Sequence, residues 1–121
     1  MIETLRSRVN ADATLVRRGR FVQTTFLLQV GETEWLVTID RGELREVAKG
    51  PFVMPRWTFA LRASETAWAR FWAADPEPGF HDLFALLKQG LLSIEGNQHP
   101  FMANLFYFKG VLDSLRAGAV Q

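Results

Sequence analysis

The sequence predicts an α+β fold: about five mainly antiparallel strands, covered on one face by helices. Three observations predict it. Residues 20–48 alternate apolar and polar with period two and carry glycine in short turns, as a three-stranded meander does. Two further alternating segments lie near 56–62 and 91–95. Between and after them run aromatic-rich stripes of period 3.6, which pack as helices on one face of such a sheet.

Residues 3–18 mix Leu5, Val9, Leu15 and Val16 with charges and predict one or two short helices, with Asn10 as N-cap of the second. "FVQTTFLLQV" is β-branched and aromatic, with Val22, Phe26, Leu28 and Val30 on one face. Gly31 and Glu32 turn the chain. In "WLVTID", Trp35, Val37 and Ile39 face one way and Leu36, Thr38 and Asp40 the other. "DRGE" at 40–43 is a hairpin loop in which Gly42 can take positive φ. "LREVA" is a third strand, ended by Gly50-Pro51.

In "RWTFALRA", Trp57, Phe59 and Leu61 share one face and Arg56, Thr58, Ala60 and Arg62 the other. Ser64 caps a helix carrying Trp68, Phe71 and Trp72 at i, i+3 and i+4. "ADPEPG" at 74–79 breaks it. A helix over 80–88 shows Phe80, Leu83, Phe84 and Leu87 as a stripe, with Leu86 off it. Gly90 ends this helix, a strand covers 91–95, and Gly96-Asn97 turns. His99 is biased away from helical geometry by Pro100, which suits the first helical position. The last helix runs to about Arg116. Short turns make the first three strands neighbours.

The 121 residues suit one domain over 1–121. Its parts are a helical segment over 1–18, the meander over 20–48, a strand and helix over 56–73 and a helix–strand–helix unit over 80–116. A chain this long can bury roughly 65% of its unfolded surface and folds without metal or disulfide staples. There is no cysteine, which excludes thiol chemistry and agrees with a reducing cytoplasm. The net charge is +1, giving no bulk argument for nucleic acid. No apolar run approaches the ~20 residues of a membrane span. "MIETLRSRVN" has no signal-peptide core.

The outlier is aromatic: ten Phe, four Trp and one Tyr, enough that their placement needs explaining. In "PFMANLFYFKGVLDSL", Phe101, Leu105, Phe108, Leu112 and Leu115 form one stripe. Met102, Phe106 and Val111 widen it, and Tyr107 adds aromatic surface. A helix of a two-layer domain needs an apolar face only a little over ~100° wide, so the excess meets a second layer, a subunit, a membrane or a ligand. Dense core, dimer interface and ligand cavity all remain open on periodicity. Apolar ligand sites typically enclose ~300–1,000 Å³.

From Gly31 to Leu112, about two-thirds of the chain, the sequence resembles the sterol carrier protein-2 family. The features are "EWLVTIDRGELREVAKG", "WTFALRASETAWARF" and "LFALLKQGLLSIEGN". The last holds Gly90, Leu92, Ile94, Gly96 and Asn97 at the spacing of the family's G-x-L-x-I-x-G-[DN] strand. Each piece also has a plain structural use, Gly90 ending a helix and Gly96 opening a turn. The resemblance implies a five-stranded sheet and helices enclosing an apolar tunnel. It further implies binding and transfer of sterols, fatty acyl chains or similar lipids, without metal or organic cofactor and without chemistry. The sequence departs from the pattern at Pro55-Arg56-Trp57-Thr58, where many members have an acidic residue. It departs again in the longer loop "AADPEPGFHD". Both lie near the implied tunnel, so the ligand need not be a sterol. The ending "AGAVQ" lacks the peroxisomal Ser-Lys-Leu type signal.

Chemistry finds little support. His81-Asp82 opens a helix and is the one acid/base pair a small enzyme acting on a hydrophobic substrate could use. His99 is better explained as a helix-start residue. No H-x-x-x-H pattern or cysteine cluster supports a metal, no glycine-rich phosphate cradle appears, and none of the four serines sits in G-x-S-x-G. "RRGR" at 17–20 reads first as a solvated helix end favoured by the dipole, and second as a contact for anionic headgroups. "GPFVMP" at 50–55 is a rigid apolar loop that reads first as a tunnel rim, with a buried plug and a partner contact as the alternatives.

The expectation is therefore a lipid-binding domain with transient membrane contact. Trp35, Val37, Phe59, Leu83, Leu87, Phe101, Leu105 and Phe108 are the expected tunnel lining, their role being shape and desolvation. The alternative is an interaction module whose apolar helices meet a second copy or a partner enzyme.

Overall fold

The computed structural model describes residues 2–116, so the ending "AGAVQ" lies outside the described residues. A 3-10 turn, Ile2–Thr4, runs into α1 (Leu5–Asn10), and α2 (Ala13–Arg18) follows. Then come β1 (Gln23–Val30), β2 (Thr33–Asp40) and β3 (Glu43–Lys49). After a long connection come β4 (Phe59–Ala63), α3 (Glu65–Phe71), α4 (Leu83–Lys88) and β5 (Leu92–Gly96). The last helical stretch is two pieces, α5 (His99–Ala103) and α6 (Leu105–Asp113).

The strands form one mixed sheet in the order β3-β2-β1-β4-β5. β1–β2, β2–β3 and β4–β5 pair antiparallel, while β1 and β4 pair parallel with Phe26 opposite Phe59. This is the predicted α+β class. The meander follows from its turns: Gly31 and Gly42 sit at φ 63 and 85, where side chains are rarely tolerated. β4 runs the same way as β3, so residues 50–58 must return across β2 and β1 before β4 can start.

That return corrects one expectation. Alternation places Trp57 with Phe59 and Leu61, yet β4 begins only at Phe59. Trp57 lies outside the strand against Arg62, 5.8 Å from ring to guanidinium. Arg62 points away from the core, bonding Gln29 and lying 3.3 Å from Glu34 and 3.1 Å from Glu95. Met54 at φ 51 turns the chain before Pro55, so numerical alternation runs on through a segment that is not a strand.

The other sheet face carries Phe26, Leu28, Val37, Ile39, Phe59 and Leu61, all at most 1% exposed. The helices close over it. α1 is tied to β3 by Asn10, whose side chain accepts from the Leu44 N–H (2.8 Å) and donates to the Leu44 carbonyl (3.0 Å). The β2–β3 register shifts beside Leu44, and the Asn10 amide satisfies its backbone there. Asn10 is thus not the cap of α2. Asp12 is, accepting from Leu15 N–H at 3.1 Å. Ser64 caps α3 as predicted, accepting from Ala67 N–H at 3.0 Å. Within α3, Trp68 Nε1 donates to the Gln29 carbonyl (2.8 Å). Just past its end, Trp72 Nε1 donates to the Leu112 carbonyl (2.9 Å). One indole pins the helix to β1 and the other to α6.

The helix predicted over 80–88 begins at Leu83, with Asp82 as N-cap. Moving the start three residues on rotates the buried face to Leu83 and Leu86. Phe84 and Leu87 are half-buried. Phe80 is buried in the preceding loop, with the Arg70 guanidinium 5.3 Å from its ring. The last helix is interrupted at Asn104 (φ −125, ψ 38), whose side chain donates to the Pro100 carbonyl at 3.0 Å. An asparagine that bonds nearby backbone competes with the helical ladder.

Candidate functional site

The aromatic residues that excess apolar surface made conspicuous meet between β1, β4 and the α5–α6 pair. Phe26 stacks on Phe59 at 5.2 Å, as their opposed positions in adjacent strands require. Phe108 approaches both edge-on, at 5.8 and 5.3 Å. Phe101 lies 5.6 Å from Phe59 and 5.7 Å from Phe108. All four rings are fully buried. The Asn104 break allows this: it re-aims α5 so that Phe101 and Phe108 converge, although two turns of chain separate them. Edge-to-face geometry at these distances adds to area burial.

Beside the cluster opens a surface cavity of about 500 Å³, lined by Arg18, Ala103, Asn104, Leu105, Phe106 and Tyr107. That volume falls within the range of small-molecule sites. Tyr107 forms its floor: the ring lies 5.2 Å from Phe108, and the hydroxyl donates to the Gly42 carbonyl at 2.7 Å. Burial pushes this phenol well above its ordinary pKa, so it stays a neutral donor. Phe106 stands on the rim, 71% exposed. Arg18 is the one cation among these lining residues.

Of the eight residues expected to line a tunnel, Phe59, Phe101 and Phe108 are brought into ring contact. Trp35, Val37 and Leu83 are buried in the same core, and Leu87 and Leu105 are half-buried against it. Leu105 alone of the eight also faces the cavity. Met102 and Phe106, which widen the stripe in the sequence, are exposed rather than packed. In the 50–55 loop, Val53 and Met54 are exposed and Phe52 folds back to within 3.0 Å of a Cβ built on Gly50. Sequence reasoning placed Phe26 on one strand face with Leu28 but not among the lining residues. Nor did it bring Arg18 to the site, because nothing local relates α2 to α6.

The acid/base pair is arranged differently. His81 is exposed. Asp82 accepts from the Phe84 N–H at 3.4 Å and holds Lys109 Nζ at 3.1 Å. Asp113 stands nearby with its pKa raised, chiefly by burial and also by Asp82, against the lowering pull of Arg116 and Lys109. Asp82 thus serves as a helix cap and an ion-pair partner. His81→Ala is expected to move the urea unfolding free energy by less than about 0.5 kcal/mol, as surface substitutions do. A larger loss would show a contact beyond the backbone carbonyl that accepts from Arg116. Among the described residues no group of three His, Asp or Glu side chains is placed to hold a metal, and no helix is long and apolar enough to cross a membrane.

No family model matches the chain, and no curated protein matches its sequence significantly. Solved structures match its fold over nearly the whole length. A crystal structure of sterol carrier protein 2 superposes with a TM-score of 0.78 at 12% identity, covering 99% of this chain and 95% of that one. A conserved protein from Thermus thermophilus, described as possibly a sterol carrier protein, gives 0.69 at 12% identity, with 97% and 87% covered. A palmitated sterol carrier protein-2-like protein from Aedes aegypti gives 0.56 at 18% identity, with 88% and 87% covered. The architecture is therefore that of sterol carrier protein 2, as the strand and turn motifs between Gly31 and Leu112 led one to expect.

Proposed function

We propose that this domain binds one elongated apolar molecule, a fatty acyl lipid, sterol or similar lipid, non-covalently, and transfers or presents it. The carrying observation is the position, within a sterol carrier protein-2 fold, of an open cavity at Leu105–Tyr107 next to a wholly aromatic cluster. The palmitated Aedes aegypti neighbour supports an acyl chain as one such molecule.

On this reading Trp35, Val37, Phe59, Leu83, Leu87, Phe101, Leu105 and Phe108 line the ligand's path. The rings of Phe59, Phe101 and Phe108 touch one another, so an incoming chain parts them and replaces ring–ring contacts with ring–acyl contacts. That exchange is close to neutral in dispersion energy. The net gain comes from the ligand's own surface, about 0.8 kcal/mol for each methylene taken out of water. A carboxylate end left at the cavity mouth lies within reach of Arg18, a charge-assisted contact. On this reading no step is chemical and none needs a cofactor.

Titration with an environment-sensitive fatty-acid probe is expected to saturate at one site and to be reversed by unlabelled long-chain fatty acid. Parallel competition with a sterol sorts the ligand class. A probe that never saturates, or that long-chain lipids fail to displace, removes the lipid-carrier reading.

A further inference from the structure

Two helical elements supply lining residues to the ligand path proposed above. α4 brings Leu83 and Leu87, and the α5–α6 pair brings Phe101, Leu105 and Phe108. The backbones of α4 and α6 approach each other little, so side chains close the seam between them. On the outer side of that seam lies one ion pair. Lys109 Nζ, from α6, stands 3.1 Å from Asp82 Oδ1 and 3.2 Å from Oδ2, at the N-cap of α4. The same ammonium lies 4.9 Å from the Phe84 ring and 6.0 Å from the Phe106 ring. One cation thus meets the cap of α4, its first turn and a ring that also lines the cavity.

α4 belongs to a compact loop. Gln89 Nε2 donates to the Gly79 carbonyl at 2.7 Å and joins the two ends of residues 79–89. Where α4 turns into β5, Gly90 has open space around it. The loop is seated by Phe80, Leu83 and Leu86, which are buried. Among the described residues, two cations from the α6 side reach its outer end. Lys109 holds the Asp82 carboxylate, and Arg116 Nη2 donates to the His81 carbonyl at 3.3 Å. Arg116 is shared with the Phe71 carbonyl at 2.9 Å and with Asp113 at 3.6 Å. Lys109 is therefore the closer and more direct tie.

We propose that the Asp82–Lys109 pair is a latch on the ligand path: it holds α4 against α6, and its opening sets how fast a ligand enters and leaves. The side chains are 44% and 24% exposed, and pairs of that kind favour a closed state only about two- to fivefold. A tie of that strength keeps the seam shut and still lets cargo go. The latch closes over the empty protein and again behind a bound ligand. It therefore stabilises both closed states alike, and an interaction that does not distinguish two states shifts no equilibrium between them. Losing it speeds entry and release by one common factor and leaves Kd unchanged. The inference rests on the carrier reading and adds its kinetics. Both residues are positioning residues that act through α4, and neither touches the ligand.

The test is stopped-flow measurement of the association and dissociation rates of an environment-sensitive fatty-acid probe. Asp82→Asn keeps a capping oxygen for α4, and Lys109→Met keeps the stem over Phe84 and Phe106. Each is expected to raise both rates about two- to fivefold, with Kd within about twofold of wild type. The double variant should be no faster than either single one, since both remove the same interaction. Lys109→Arg should restore slow exchange. Added salt should speed exchange in wild type and leave Lys109→Met unaffected. Glu95→Gln breaks a pair with Arg62 on the opposite face of the sheet and should change neither rate. Amide hydrogen exchange of the ligand-free protein reads the latch without lipid: Leu83–Lys88 should exchange about two- to fivefold faster in Lys109→Met. Saturable probe binding with unchanged rates overturns the proposal, whatever happens to the melting temperature. A rise in dissociation alone, with Kd rising in step, overturns it too, because Lys109 would then be a ligand contact. Unchanged amide exchange in α4 also overturns it. If the probe fails to bind wild type, the carrier reading falls, and faster α4 exchange in Lys109→Met still supports the latch by itself.

Discussion

Gly42→Ala is expected to destabilise the protein by about 2–5 kcal/mol. Two costs add. The backbone sits at φ 85, where an alanine costs roughly 1–2 kcal/mol. A new Cβ would also lie 2.3 Å from the Val16 carbonyl oxygen and 2.9 Å from the carbonyl carbon of Gly19. Both are backbone atoms with no rotamer to escape into, so the turn and the end of α2 must separate, an overpacking cost of about 1–3 kcal/mol. Separation also strains the bond from the Tyr107 hydroxyl to the Gly42 carbonyl, inside the buried floor of the cavity. Gly90→Ala isolates the first cost: φ is 76 there, but nothing lies within 4 Å of the new Cβ. It should lose only the ~1–2 kcal/mol of strain. Urea unfolding of both variants at unchanged m-value gives the comparison. If Gly42→Ala cost no more than Gly90→Ala, the close packing of the turn on the end of α2 would be wrong.

Local signals carried most of the architecture. Alternation at 22–48 marks three strands, Gly31 and Gly42 mark their turns, and Ser64 marks the start of α3, because each depends on a few adjacent residues. Pairing of β1 with β4 was not legible, since nothing local says which strand a returning chain joins. The same non-locality hid the site. Arg18 reads in sequence as the solvated end of a basic helix, and only the packing of α2 on α6 places it at a cavity with Leu105 and Tyr107. Where local reading failed, a side chain had two competing uses. Asn10 and Asp12 both fit an N-cap, and the backbone of Leu44, beside the register shift, claimed the first. Asn104 sits in an apolar run that a periodicity count carries straight through, yet its amide bonds backbone and breaks the helix.

Phe108→Ala is expected to cost about 3–5 kcal/mol, the range for removing a fully buried phenylalanine whose surroundings cannot collapse. Four rings hold the space open: Phe26, Phe59, Phe101 and Tyr107, with centroids 5.2–5.8 Å away. The strands fix two of them and separate helices the others, so none can follow the missing ring inward. If an acyl chain reaches this cluster by parting the rings, the void is a site already opened. Wild type must give up contacts around Phe108 to admit the chain, and the variant need not. Long-chain fatty acid should therefore bind the variant at least as tightly as wild type and return more of its lost stability. At a free concentration a hundredfold above Kd, ligand adds about 2.7 kcal/mol to whichever protein it binds. Run at one fixed fatty-acid concentration, urea unfolding should then show a larger gain for Phe108→Ala than for wild type. An equal gain, with unchanged probe affinity and the full loss in stability, would make Phe108 a filler of the core alone. The path of the ligand would then lie outside the aromatic cluster, along the cavity wall at Leu105.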